Sequence, residues 1–146
     1  MHDGCDDPSD PVAGGTMDML LDGNEGQKMM DNLDITAATP QLFRGGQTLI
    51  QEDPGNQAHI AKVWRYTNLT GLLEMIAQHD PDRFTPGAPA FLTQDEESSG
   101  IVDVSDILGR GWVLLDVQAH YDIGDPELVE GGQLLALFLP PAKRFP

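Results

Sequence analysis

The chain has 146 residues, enough for one domain of ordinary size with a buried core. Its 24 acidic and 8 basic residues leave a net charge of −16, which argues against a nucleic-acid partner, because phosphate backbones call for a basic surface. A single cysteine, Cys5, excludes an internal disulfide and a cysteine-built zinc site, and no apolar run approaches the roughly 20 residues of a membrane-spanning helix.

Sixteen glycines and eleven prolines punctuate the chain so densely that short strands are favoured over long helices. Residues 1–15 read as a loop or disordered start, and Met1 to Asp7 carry neither the basic nor the apolar region of a signal peptide. Residues 16–21 are a short apolar run that suits a strand, followed by a turn at Asp22-Gly23-Asn24. Residues 31–36 alternate polar and apolar side chains, as a half-buried strand does. After a turn over 39–46, residues 47–51 form a strand that Glu52-Asp53-Pro54-Gly55 brings to a stop.

Residues 60–66 are the next strand, and 68–71 turn the chain. Residues 72–78 have good helix propensity, yet the short link from Tyr66 favours a hairpin and hence a strand. A long loop over 79–95 precedes a strand at 100–104, a turn at 107–111 and a strand at 112–118. A second long loop, 119–131, carries Asp122, Asp125, Glu127 and Glu130, and leads to an apolar strand at 132–139 and a tail at 141–146.

An offset of 65 residues maps Leu49 onto Leu114 and Asn32 onto Glu97, so the strand order repeats. Four-stranded antiparallel units in series are blades of a β-propeller. The fold expected over 16–140 is therefore all-β: a partial β-propeller with an orphan strand, one four-stranded blade and three strands of another. A plain β-sandwich is the alternative. Fewer blades than a closed ring needs imply a fragment of a larger propeller, with unpaired edges and poor behaviour in isolation.

The chemistry concentrates in Gln94-Asp95-Glu96-Glu97-Ser98-Ser99-Gly100. Three consecutive acids repel one another unless a cation or bulk water compensates, and they supply the hard oxygens that calcium takes. A solvated acidic turn explains the same stretch. The repeat selects Glu97, at the entry of a strand, and sets Asn32 at the equivalent point of the neighbouring unit. It also sets Glu52 or Asp53 opposite Gln118, with His120 just beyond. Glu52, Glu97 and Asn32 are thus candidate metal ligands, with Asp53, Asp95, Glu96, Asp116, Gln118 and His120 in support. Asn32 could equally cap a turn, Gln118 end a strand and His120 pack in a loop. Trp64, Tyr66 and Trp112 read as core aromatics. No nucleophile elbow, phosphate-binding loop or EF-hand spacing is present.

In order and spacing, Asp31-Asn32-Leu33, Leu49 through Gly55, Val63-Trp64-Arg65-Tyr66, Asp95 through Gly100 and Leu115 through His120 resemble the C-terminal part of bacterial PhoX-type alkaline phosphatases and the secreted PhoX-like propeller proteins. The resemblance spans most of residues 10–140. It implies a six-bladed propeller in the complete protein, exported to the periplasm or beyond. It implies hydrolysis of phosphorylated small molecules with calcium, and iron in the best-understood members, in the central channel.

Glu97 matches the family's glutamate before the Ser/Thr-Gly of a first strand, and Glu52 matches an acid that follows the Asp-Asn-Leu strand pair. Asp116-Val117-Gln118 stands where the family has Asn-x-Gln, and Cys5 matches no metal-binding motif. The N-terminal blades of that propeller would be the chain's missing partner, and the fragment alone is expected to be inactive. A non-catalytic calcium-holding scaffold or binding module, and a lactonase-like hydrolase propeller, are the alternative expectations.

Overall fold

The computed structural model describes residues 12, 14–15, 17–36 and 46–139. It is built from two antiparallel sheets, neither of them closed. The first takes β1 (Met30–Ile35), β2 (Gln47–Glu52), β3 (Lys62–Thr67) and β4 (Leu72–Gln78) in chain order, and the second takes β5 (Glu96–Asp103), β6 (Trp112–Asp122) and β7 (Glu130–Phe138). The first three strands of each sheet follow the same meander, and β2 begins at Gln47 where β6 begins at Trp112, the 65-residue offset of the sequence. No described helix is long and apolar enough to cross a membrane.

Residues 72–78 are a strand, as the hairpin link requires. Thr70 and Gly71 both donate backbone N–H groups to the Thr67 carbonyl, and Gly71 takes φ +72°, a left-handed value that a side chain disfavours. Leu72 then pairs with Thr67 and continues to Gln78 opposite Lys62. Turn geometry overrides the helical propensity of Leu-Leu-Glu-Met-Ile-Ala.

Four sequence readings need correction, the first being the strand expected at 100–104, which begins four residues earlier, at Glu96, and ends at Asp103. Residues 17–21 form no strand. Leu21 instead packs on the outer face of the first sheet, against Ile50, Trp64 and Tyr66. The turn that follows is held by Glu25, whose carboxylate accepts from the backbone N–H groups of Asp22 and Gly23 and from the Gln27 amide. The loop at 79–95 contains one helical turn, α1 (Pro81–Phe84), started by the Asp80 side chain accepting from Asp82 N with proline at the first helical position. A second single turn, α2 (Ser105–Leu108), lies between β5 and β6. The loop at 119–131 is shorter than expected, because β6 runs on to Asp122 and β7 starts at Glu130. Gly131 permits this, since a Cβ there would collide with the Tyr121 ring. Cys5, Thr16 and the tail at 141–146 lie outside the described residues.

The sheets stack face to face. Leu49 and Val63 of the first meet Val113 and Leu115 of the second, with Leu139 closing the cluster and Ile76, Ala77, Ile101 and Leu137 around it. Fully burying each such aliphatic side chain stabilises the fold by about 1.5–3 kcal/mol. Polar contacts also cross between the sheets: the Gln51 amide donates to Ser98 Oγ, and Asp103 N donates to Asp34 Oδ2 at 2.6 Å. The alternation of β1 is real. Its polar residues Asn32 and Asp34 are the more covered set, however, while Leu33 and Ile35 are 63% and 57% exposed.

Candidate functional site

The antiparallel registers bring the start of β1, the end of β2, the start of β5, the end of β6 and the start of β7 to one end of the two sheets. Met30 pairs with Glu52, Glu96 with Ala119, and Ala119 with Gly131. Almost every candidate residue sits at this end, and the structure sorts them into three groups.

Glu52 is fully buried, and both of its oxygens are engaged. Oε1 accepts from Lys28 N and from the Trp64 indole N–H, each at 2.8 Å. Oε2 accepts from Lys62 N at 3.0 Å and lies 2.8 Å from His59 Nε2. The hairpin that returns β2 into β3 delivers three of these four partners, so Glu52 knits that hairpin together. All four partners come from the first sheet or the segment before it, none from the neighbouring sheet.

Asp53 and Glu97 form the second group. They come from different sheets, yet their carboxyl groups lie close enough for Asp53 to raise Glu97. Burial and the Asp53 carboxyl beside it push Glu97 above its ordinary value, Asp31 pushes the same way, and His120 pulls it back. Asp53 is also fixed by an Asx turn, its Oδ1 accepting from Gly55 N at 3.0 Å. Asn32 lies at the β1 irregularity, donating its amide to Asp31 Oδ2 at 2.6 Å and leaving its own carbonyl oxygen for another partner. Asp95 is tied in through its backbone carbonyl, which accepts from His120 N at 2.9 Å.

His120 stands beside this pair. Its Nδ1 lies 2.7 Å from Glu130 Oε2, and its Nε2 lies 3.3 Å from the Gln118 amide nitrogen. The Glu130 carboxylate raises the His120 value, against a smaller opposing effect of burial. Sequence reasoning placed Glu130 in a loop with no partner. The register of β7 on β6 reveals the pairing.

Glu96 and His79 form the third group, and they are the surprise. Strand alternation turns Glu96 inward, so it is 1% exposed, neither solvated nor part of the open cluster. Its Oε1 accepts from Ala61 N at 3.0 Å and lies 3.8 Å from His79 Nδ1. Burial raises Glu96 and lowers His79 to about 4, so the histidine is neutral in the fold at pH 7. The His79 ring packs against Phe84 at 5.6 Å between centroids. No sequence signal marked His79 beyond its place in the long loop.

Asp116 stands apart from all three groups. It is exposed on the outer face of the second sheet, opposite Leu134 and close to Gly100. Among the basic residues, Arg65 is buried with its guanidinium 2.7 Å from Glu74, and Arg83 lies 3.6 Å from Asp80. Lys62 reaches the candidate end, with its ammonium 3.3 Å from His59. Among the described residues, no group of three or more His, Cys, Asp and Glu side chains is already arranged to hold a metal ion. Calcium takes six to eight oxygens, more than the Asp53 and Glu97 carboxyls supply.

Searches of protein-family descriptions, curated proteins and solved structures find no match to this chain.

Proposed function

We propose that this end of the two sheets binds calcium, and that the chain is a partial β-propeller, a C-terminal fragment of a calcium-dependent PhoX-like phosphomonoester hydrolase. The observation that carries the cation reading is the meeting of Asp53 and Glu97. Two acids from separate sheets converge in a chain of net charge −16, and burial together with the Asp53 carboxyl raises Glu97. A divalent cation between them would offset the repulsion and displace the proton that a raised Glu97 retains. Asp53 and Glu97 would hold it, with the Asn32 carbonyl oxygen and Asp31 next in reach and water or further blades supplying the remaining oxygens. In the complete propeller, calcium would polarise a bound phosphate ester.

The repeated meander and its 65-residue offset support the propeller reading, and the phosphatase reading rests on the sequence resemblance. A second reading, a non-catalytic calcium-holding scaffold, is favoured by one observation. Arg65 and Arg83, two of the cations that could contact phosphate, are paired with Glu74 and Asp80.

Isothermal titration with calcium tests the site. The wild-type chain is expected to bind, with Glu97→Gln and Asp53→Asn each weakening affinity at least tenfold. Equal affinity in all three proteins would remove both residues from the site.

A further inference from the structure

Four strands have an unpaired edge among the described residues: β1, β4, β5 and β7. Natural sheets protect such edges with charges, bulges or short strands, because a bare edge is a template for pairing with another chain. β1 carries Asp31 and Asp34, β5 carries Glu97 and Asp103, and β4 carries Glu74 at its centre. Each of these three strands also has an irregular register with its neighbour.

β7 is the least protected: its one charge, Glu130, and its one register irregularity, between Glu130 and Gly131, both fall at its start. Beyond Glu130 its sequence is Gly131-Gly132-Gln133-Leu134-Leu135-Ala136-Leu137-Phe138, eight residues without a charge or a proline. Its register with β6 is unbroken from Gly131 to Phe138. Leu134 and Phe138 are 75% and 53% exposed, and Leu134 borders a shallow groove with Val102 and Leu114 on the outer face of the second sheet.

We propose that the β7 edge is an interface for a second copy of this chain, paired antiparallel through β7 itself about a twofold axis near Leu134. Charge selects this occupant. In a strongly acidic protein, pairing β7 with β1, β4 or β5 of another copy brings carboxylates onto the ladder. Pairing β7 with β7 brings only Glu130, which falls opposite Phe138. The register sets Gly132 against Ala136 and Leu134 against Leu134, so both apolar faces continue across the dyad. Such an interface is closed and uses the same surface on both copies. It is independent of the calcium reading.

Sedimentation equilibrium of the full chain at pH 7 in 0.15 M salt provides the test. The wild type is expected to reach twice the 15.9 kDa chain mass as concentration rises. Leu134→Lys should return it to the single-chain mass, while Met75→Lys on the β4 edge leaves the dimer intact. A single-chain mass throughout, a dimer that survives Leu134→Lys, an equal effect of Met75→Lys or open-ended growth would each overturn the proposal. Amide exchange of the wild type reads the same interface should Leu134→Lys fail to fold. Protection over 131–138 should rise with concentration, and unchanged protection overturns the proposal.

Discussion

Replacing Glu52 by glutamine changes one oxygen for an NH2 group and leaves the shape intact. The structure predicts a large loss of stability, because both oxygens face donors. If the new amide nitrogen takes the Oε1 position, it confronts Lys28 N–H and the Trp64 indole N–H. If it takes the Oε2 position, His59 can switch tautomer and accept, but Lys62 N–H is left without an acceptor. The second arrangement is the cheaper one. One buried donor unsatisfied, with the loss of hydrogen bonds to a carboxyl group, amounts to about 2–4 kcal/mol. Native domains have only about 5–15 kcal/mol in total. Urea denaturation followed by tryptophan fluorescence reads the change, and Trp64 reports on it directly. A loss under about 0.5 kcal/mol without calcium would refute the structural role. A loss that appeared only with calcium present would return Glu52 to the ligand set.

Three further predictions follow from the same geometry. Glu97 has its folded-state value raised, so its stabilising contribution is present below the unfolded carboxyl value and is lost as pH rises through the folded one. Glu97→Gln should therefore raise the melting temperature at pH 7 without calcium, and an unchanged or lower one would contradict the acid repulsion. His79 is depressed from 6.5 to about 4, so the unfolded chain takes up a proton that the fold excludes, and stability falls as pH drops through that window. The loss approaches ~3 kcal/mol at 1.36 kcal/mol per unit. His79→Leu should gain relative to wild type between pH 6.5 and 4 in denaturant melts, and parallel pH profiles would sink the assignment. Leu49→Ala, at the centre of the inter-sheet core, should lose about 2–5 kcal/mol in the same melts, and a loss under 1 kcal/mol would mean that the sheets do not share a core.

The strands were legible because period-two alternation and turn residues are local signals. The 65-residue offset then gave the meander order of both sheets. The failures were non-local. Residues 16–21 are apolar enough for a strand, but Leu21 finds the exposed face of Ile50 and Trp64 and packs there as an irregular segment. In Asp95-Glu96-Glu97, composition could not say which acid faces inward. Strand phase decides it, burying Glu96 against His79 and leaving Glu97 to meet Asp53. Glu52 drew attention as an acid at a strand end, and the sequence held no sign that Lys28, His59, Lys62 and Trp64 would converge on it. His120 was visible, but its Glu130 partner depended on the extra length of β6 and β7.

The most direct test of the cation site is the proton released when calcium binds. Titration calorimetry in buffers of different ionisation enthalpy, at a pH just above the usual carboxylate range, measures it. Net proton release is expected in the wild type, as calcium displaces the proton that the raised Glu97 retains, with release and binding both lost in the Asp53→Asn, Glu97→Gln double variant. Calcium binding without proton release, or binding that survives in the double variant, would contradict it.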